Sequence, residues 1–287
     1  MIKKILVILM VASMMISLGA CANSGNTTKE TETPAVEEPK TEELPAESGK
    51  IAEIKEKGKI VLGTAAGYPP FEFHKIIDGK DQIVGVDIEI AKRIAQELGV
   101  DLEIVDMKFE GVIPALVTDD IDMIIAGMVA TEERTKVVDF SVPYYQAKHK
   151  LVVKIDDKDK YKTFEDVDVA GLKIGVQKAT TQEALANEMF KNAEVVAISK
   201  LPDVVLELKN GKINATIIAE PVANAYVKQN QDLYVAEADL GQEPGINIAV
   251  NKGNQDLVDF INVIVEDMKS KGEVLQLLDE ATALSEQ

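Results

Sequence analysis

From Lys59 onward, short runs of aliphatic and β-branched residues alternate with stretches whose apolar positions recur every three to four residues. The runs suit strands buried on both faces, and the stretches suit helices with one apolar stripe. Runs at 60–63, 102–105, 123–126, 151–153, 173–176, 195–198, 216–218 and 247–250 predict strands. Asp87 is placed to cap a helix in which Ile88, Ala91, Ile94, Ala95 and Leu98 share a face and which Gly99 ends. Further helices are predicted over 112–117, 132–138, 181–192, 202–209, 221–228 and 257–271. Strands and helices in alternation predict an α/β fold with parallel sheets covered by helices.

Two segments interrupt this order. Pro143-Tyr144-Tyr145-Gln146 follows the first group of elements, and the glycine-flanked stretch Gly241–Gly245 precedes the final strand and helix. They read as two hinge crossings between lobes, one built from 51–145 and 240–287, the other from 146–239. No internal sequence repeat is evident, so the lobes are expected to share shape rather than sequence.

The chain begins differently. Lys3 and Lys4 precede an apolar run from Ile5 to Leu18, followed by Leu18-Gly19-Ala20-Cys21. That run is shorter than the roughly 20 residues a membrane span needs, so 1–20 reads as an export signal. Leu-Gly-Ala-Cys resembles the bacterial lipobox, in which the cysteine becomes the lipidated first residue of the mature chain. Residues 21–50, rich in Thr, Glu, Pro and Ser, bury too little to fold alone and read as a disordered tether.

Composition narrows the function classes. Cys21 is the chain's one cysteine, so no intrachain disulfide is available, and stability rests on burial, for which 46% hydrophobic residues are ample. A net charge of −18 without a basic cluster excludes nucleic acid as a partner. The two histidines, His74 and His149, lie far apart in sequence and suggest neither a metal site nor a triad. No cofactor, metal or catalytic pair is expected.

The stretch 121–134 carries the strongest chemical signal. It reads strand, loop, helix, with Thr131 as N-cap and Arg134 in the first helical turn. A cation at a helix N-terminus runs against the macrodipole, and is sensible where a carboxylate is to be gripped. The alternative is a solvated face on which Arg134 pairs with Glu132, Glu133 or Asp139. Thr181, in Thr180-Thr181-Gln182-Glu183, opens another helix and offers hydroxyl and N–H donors, or serves only as a cap. Tyr68 and Phe109, taken alone, suit a core.

Tyr68-Pro69-Pro70-Phe71-Glu72-Phe73, Gly85-Val86-Asp87-Ile88-Glu89-Ile90-Ala91, the 122–134 stretch and Asp139-Phe140-Ser141 with Pro143-Tyr144-Tyr145 together resemble the family 3 solute-binding proteins of polar amino-acid importers. The resemblance covers nearly everything after Lys50. It implies a two-lobed type II periplasmic-binding fold, each lobe a mainly parallel sheet flanked by helices, closing around one amino-acid-like ligand without chemical change. It further implies a monomer on the extracytoplasmic face of a bacterial membrane, lipid-anchored through Cys21, that delivers its ligand to an ABC permease. A dehydratase-like enzyme on the same fold, with Glu72 or Glu220 as proton donor, and a ligand-sensing lipoprotein are the alternatives.

By the same resemblance, Arg134 would clamp the ligand carboxylate, helped by the Val129 backbone and by Thr181. The Gly127 carbonyl would accept from the ligand ammonium, and Tyr68 and Phe109 would sandwich its side chain. Ala65 and Gln177 complete the expected lining. Ala65 stands where relatives specific for basic side chains often carry an acid, which argues against lysine or arginine. Ala219 stands where many relatives place the aspartate that holds the ammonium. Glu220 is adjacent, and reaches the ligand only if the backbone turns there.

Overall fold

The computed structural model of the protein describes residues 49–286, which belong to one compact unit. The expected export signal, Cys21 and the expected tether up to residue 48 lie outside the described residues.

The first half is built on strands β1 (Lys59–Thr64), β4 (Asp101–Asp106), β5 (Met123–Ile124) and β6 (Val138–Phe140), with a separate hairpin of β2 (Phe73–Ile77) and β3 (Lys80–Val84). Helices α1 (Gly49–Lys57), α2 (Val86–Leu98), α3 (Phe109–Val117) and α4 (Glu132–Thr135) fall among them. The second half holds β7 (His149–Lys154), β8 (Lys173–Gln177), β9 (Glu194–Ile198), β10 (Ala215–Ala219) and β11 (Leu233–Val235). Its helices are α5 (Phe164–Val167), α6 (Thr181–Met189), α7 (Leu201–Lys209) and α8 (Glu220–Gln229). The chain then returns to the first sheet as β12 (Ala249–Asn251) and closes with α9 (Gln255–Ser270) and α10 (Glu273–Ser285).

Two five-stranded sheets result, in the spatial orders β4-β1-β5-β12-β6 and β9-β8-β10-β7-β11. Position for position the orders are equivalent. β12 and β7, the strands that enter directly from a crossing, each run against the other four strands of their sheet, which share one direction. The two lobes therefore share shape, each around a mainly parallel mixed sheet.

The crossings lie side by side. Tyr145 and Lys148 bridge antiparallel to Ile246 and Gln242, and the Glu243 N–H donates to the Ala147 carbonyl at 2.9 Å. Gly245 has φ 113°, and a Cβ there would stand 3.0 Å from Pro143, so the ribbon requires glycine at that position.

Several predicted elements need correction. The tether boundary at 50 is too late, because Gly49 and Lys50 already belong to α1, and buried Lys50 pairs with buried Asp122 at 2.9 Å. The helix expected over 132–138 ends at Thr135, and 138–140 pairs with β12 as a strand. Asp87 does not cap α2. Gly85 holds that place, and Asp87 turns inward, fully buried.

Candidate binding cleft between the lobes

Arg134 lies at the centre. Its helix is a single turn, and Thr131 caps it as predicted, the hydroxyl accepting from the Arg134 N–H at 3.3 Å. The side chain turns back into the cleft rather than out to solvent. One terminal nitrogen donates to the Val129 carbonyl at 2.7 Å, the other to the Ala179 carbonyl of the second lobe at 2.9 Å, and the guanidinium lies 5.4 Å from the Phe109 ring centre. Among the described residues no carboxylate forms an ion pair with it, and Asp139 is taken by Lys252 at 2.6 Å. The solvated-face alternative is thus removed. Burial lowers the Arg134 pKa, and the charges of Glu243 and Glu133 oppose that shift. A half-buried cation held by neutral carbonyls is poorly compensated, and a ligand anion is the natural complement.

Around it runs a small cleft lined by Ala65, Tyr68, Phe109, Gly127, Val129, Arg134, Gln177 and Thr181. Glu72 and Gln182 also line it. Eight of the ten ligand-binding positions expected from sequence are therefore brought together. Gly127 is at φ 56° with a would-be Cβ 3.1 Å from the Tyr68 ring, so a side chain there would be strained and would press on the aromatic wall. Ala179 at φ 63° turns its carbonyl toward Arg134, a left-handed conformation uncommon outside glycine and held by the Glu183 carboxylate on its N–H at 2.6 Å.

Ala219 and Glu220 fall outside the lining. Ala219 ends β10 and is buried, and its backbone meets the Tyr68 hydroxyl. The backbone does turn at Glu220, which opens α8, but its carboxylate pairs with Lys150 at 3.3 Å.

Thr181 is not a cap. Thr180 fills that role for α6, its hydroxyl accepting from the Glu183 N–H at 3.2 Å. The Thr181 hydroxyl is left to donate to Glu243 Oε1 at 2.8 Å.

Two carboxyls in and beside the cleft escaped the sequence reading of the binding site. Glu72 is 1% exposed, and its Oε2 has no hydrogen-bond partner. Burial raises its pKa well above the usual carboxyl range, with the neighbouring Asp87 adding to the effect. Asp87 accepts from the Tyr144 hydroxyl at 2.8 Å and the Gly127 N–H at 3.0 Å, yet burial still lifts it to about 6. The second carboxyl is Glu243, 2% exposed, on the return crossing. Its Oε1 accepts from Thr181 and from the Gln182 amide at 3.1 Å. The Pro-Phe-Glu run of the resembling motif was a visible signal for Glu72. Glu243 had none, because its meeting with Thr181 and Gln182 follows from how the two crossings pair.

The lobes touch across the cleft. Tyr226 donates to the Gly67 carbonyl at 2.7 Å, and Ser199 to Glu110 at 2.8 Å. With the Arg134–Ala179 bond, these describe a closed arrangement. Among the described residues no His, Cys, Asp and Glu group suits a metal ion, and no helix is long and apolar enough to cross a membrane.

A cleft between two like lobes, closed around an arginine held by backbone carbonyls, is the layout of a solute-binding protein. The chain belongs to the bacterial extracellular solute-binding proteins, family 3, whose pattern matches residues 60–281. It is 34% identical over 282 residues to the arginine-binding extracellular protein ArtP of Bacillus subtilis, with 96% of each chain covered. Among solved structures it resembles the amino acid ABC transporter substrate-binding protein AbpA of Streptococcus pneumoniae bound to L-arginine, at 38% identity and a TM-score of 0.79, covering 82% of this chain and 99% of that one. An ancestral amino acid-binding protein described as a precursor of cyclohexadienyl dehydratase matches at 35% identity and a TM-score of 0.75, covering 82% of this chain and all of that one.

Proposed function

We propose that the protein captures an amino acid with a basic side chain, arginine foremost, and hands it unchanged to an ABC permease. The observation that carries this reading is Arg134, a cleft cation satisfied only by carbonyls, as a site built for a carboxylate would be. A second pole supports the basic side chain. Ala65 leaves its own position without an acid, but Glu72, buried beside Asp87, lines the same cleft. A carboxyl held neutral by burial ionises when a cation is brought beside it, so a guanidinium or ammonium would gain a charge-assisted hydrogen bond. Tyr68 and Phe109 supply aromatic faces for the chain between the poles. The arginine named for ArtP and AbpA agrees with this charge pattern.

The protein works as a binder rather than an enzyme: the Glu72–Asp87 pair shares one buried environment and offers no separate acid and base around a reacting centre. It acts as a monomer, anchored outside the cell membrane through lipid on Cys21 and free to reach the permease on the 21–48 tether. Labelling with a radioactive fatty acid tests the anchor, and Cys21→Ser should abolish the label and release the protein to the medium.

Thermal-shift screening of the standard amino acids on residues 49–287 tests the ligand class, because a ligand of the folded state raises the melting temperature by mass action. Arginine should give the largest rise, with lysine and histidine following. No rise with any amino acid would reject the reading. Chromatography after long incubation should return the ligand intact, and steady conversion would favour the dehydratase.

A further inference from the structure

Ala219 leaves the second lobe without a carboxylate where many resembling proteins hold the ligand ammonium, and Glu220 is occupied by Lys150. An amino acid bound through Arg134 would then bury its ammonium beside carbonyls alone. Transfer of a charged ammonium into such a site without a countercharge is strongly unfavourable, so an amino-acid site should contain one.

Glu243 meets the need from a different element. It is carried by the return crossing rather than by either sheet, and its carboxylate is buried at the opening turn of α6. Oε1 is fully engaged by Thr181 and Gln182, both of which line the cleft, while no described residue donates a hydrogen bond to Oε2. The carboxylate is near enough to act electrostatically on both Arg134 and Tyr68, whose hydroxyl meets the backbone of Ala219 itself. Its bonds to Thr181 and Gln182 hold it against the cleft wall, within electrostatic reach of Arg134, on the side where the α-ammonium of a ligand gripped by Arg134 could be met.

Resting on the reading of the cleft as an amino-acid site, we propose that Glu243 is the ammonium-binding residue, its free Oε2 accepting the charge that an acid at Ala219 would otherwise take. The hydrogen bonds from Thr181 and Gln182 fix the carboxylate in place before the ligand arrives. Both bonds favour its charged form and partly offset the burial that raises its pKa. Because Glu243 rides on the crossing, ammonium recognition is tied to the same ribbon about which the lobes close. A ligand lacking the α-ammonium would fill the cleft and leave this carboxylate unmatched.

Calorimetry with L-arginine and with δ-guanidinovalerate, which is arginine without its α-ammonium, separates the possibilities. The unaltered protein should bind arginine at least tenfold more tightly. Glu243→Gln should weaken arginine roughly ten- to a hundredfold, as expected for a lost charge-assisted hydrogen bond, while changing δ-guanidinovalerate by less than about threefold. Equal affinities for the two compounds in the unaltered protein would overturn the proposal without any variant. So would a Glu243→Gln protein that binds arginine unchanged, or one that loses both compounds equally, which would make Glu243 a brace of the closed lobes only. If neither compound binds the unaltered protein, the basic-amino-acid reading itself fails, a result distinct from the others.

Discussion

The two lobes solve the same packing problem with nearly the same residues, and then diverge where the ligand would bind. In the first, Gly63 on β1 leaves room for the Ile121 side chain, and Asp122 accepts from the Val61 N–H at 2.9 Å. In the second, Gly175 on β8 leaves room for Ile213, and Asn214 accepts from the Lys173 N–H at 2.9 Å. A local echo, Ile-Asp against Ile-Asn entering the third strand of each sheet, thus underlies the shared strand order. Past that strand the first lobe kinks at Gly127 into the loop that presents Val129 and Arg134, whereas the second passes straight from Ala219 into α8. The first lobe supplies a charged, aromatic half-site on a buried carboxyl network. The second supplies chiefly backbone and neutral donors: the Ala179 carbonyl, Thr181 and Gln182. A ligand would dock on the first lobe, and the second would cover it.

The largest effect should come from breaking the charged half-site. Arg134→Ala should weaken arginine by about 3 kcal/mol or more, a loss of over a hundredfold. The empty protein should melt no lower than before, because a poorly compensated cation has been removed. Calorimetry and a melting curve check the two halves of that statement. Thr181→Val, on the covering lobe, should cost less, about 1 to 2 kcal/mol, as it removes a neutral donor and one of two bonds that hold Glu243.

The buried carboxyls beneath the first half-site should leave a signature in stability. Asp87 titrates near 6 when folded against 3.8 ordinarily, so the folded state holds more protons than the unfolded one across that window. Stability should therefore fall as pH rises from about 4 to 6, by roughly 3 kcal/mol at most for Asp87. Below about 4 the exposed carboxylates whose pKa values are lowered, such as Asp166 and Asp168, reverse the slope. Glu72→Gln removes a second buried carboxyl whose pKa burial raises, and should flatten the fall between pH 4.5 and 6.5, as followed by urea unfolding. Tyr226→Phe, which deletes the bond to the Gly67 carbonyl, should loosen closure and weaken binding by only about 1 kcal/mol. Glu220→Gln should change nothing measurable in affinity, its carboxylate being occupied by Lys150.

The sheets were legible because periodicity and β-branching report burial directly, and every predicted strand has its counterpart. What escaped lay at places where local pattern is weak. The β2–β3 hairpin turns at Asp78-Gly79, both at positive φ, a dipeptide that signals such a turn, but Ile76 at its tip is 67% exposed and blurs the alternation. β6 and β11 are three residues each, too short for a period to show. In the cleft, Arg134 could be singled out because a cation at a helix start is unusual, and Tyr68 and Phe109 only through the family resemblance. Asp87 could not, since a carboxylate near a helix start reads as a cap until Tyr144 and Gly127, distant in sequence, are seen to bury it.

The central claim is that the cleft recognises a carboxylate through Arg134. Calorimetry with L-arginine and with agmatine, its decarboxylated counterpart, tests it most directly. Arginine should bind at least a hundredfold more tightly to the unaltered protein, and Arg134→Ala should bring the two to within a few-fold of each other. Agmatine binding as tightly as arginine, or a preference for arginine that survives in Arg134→Ala, would contradict it.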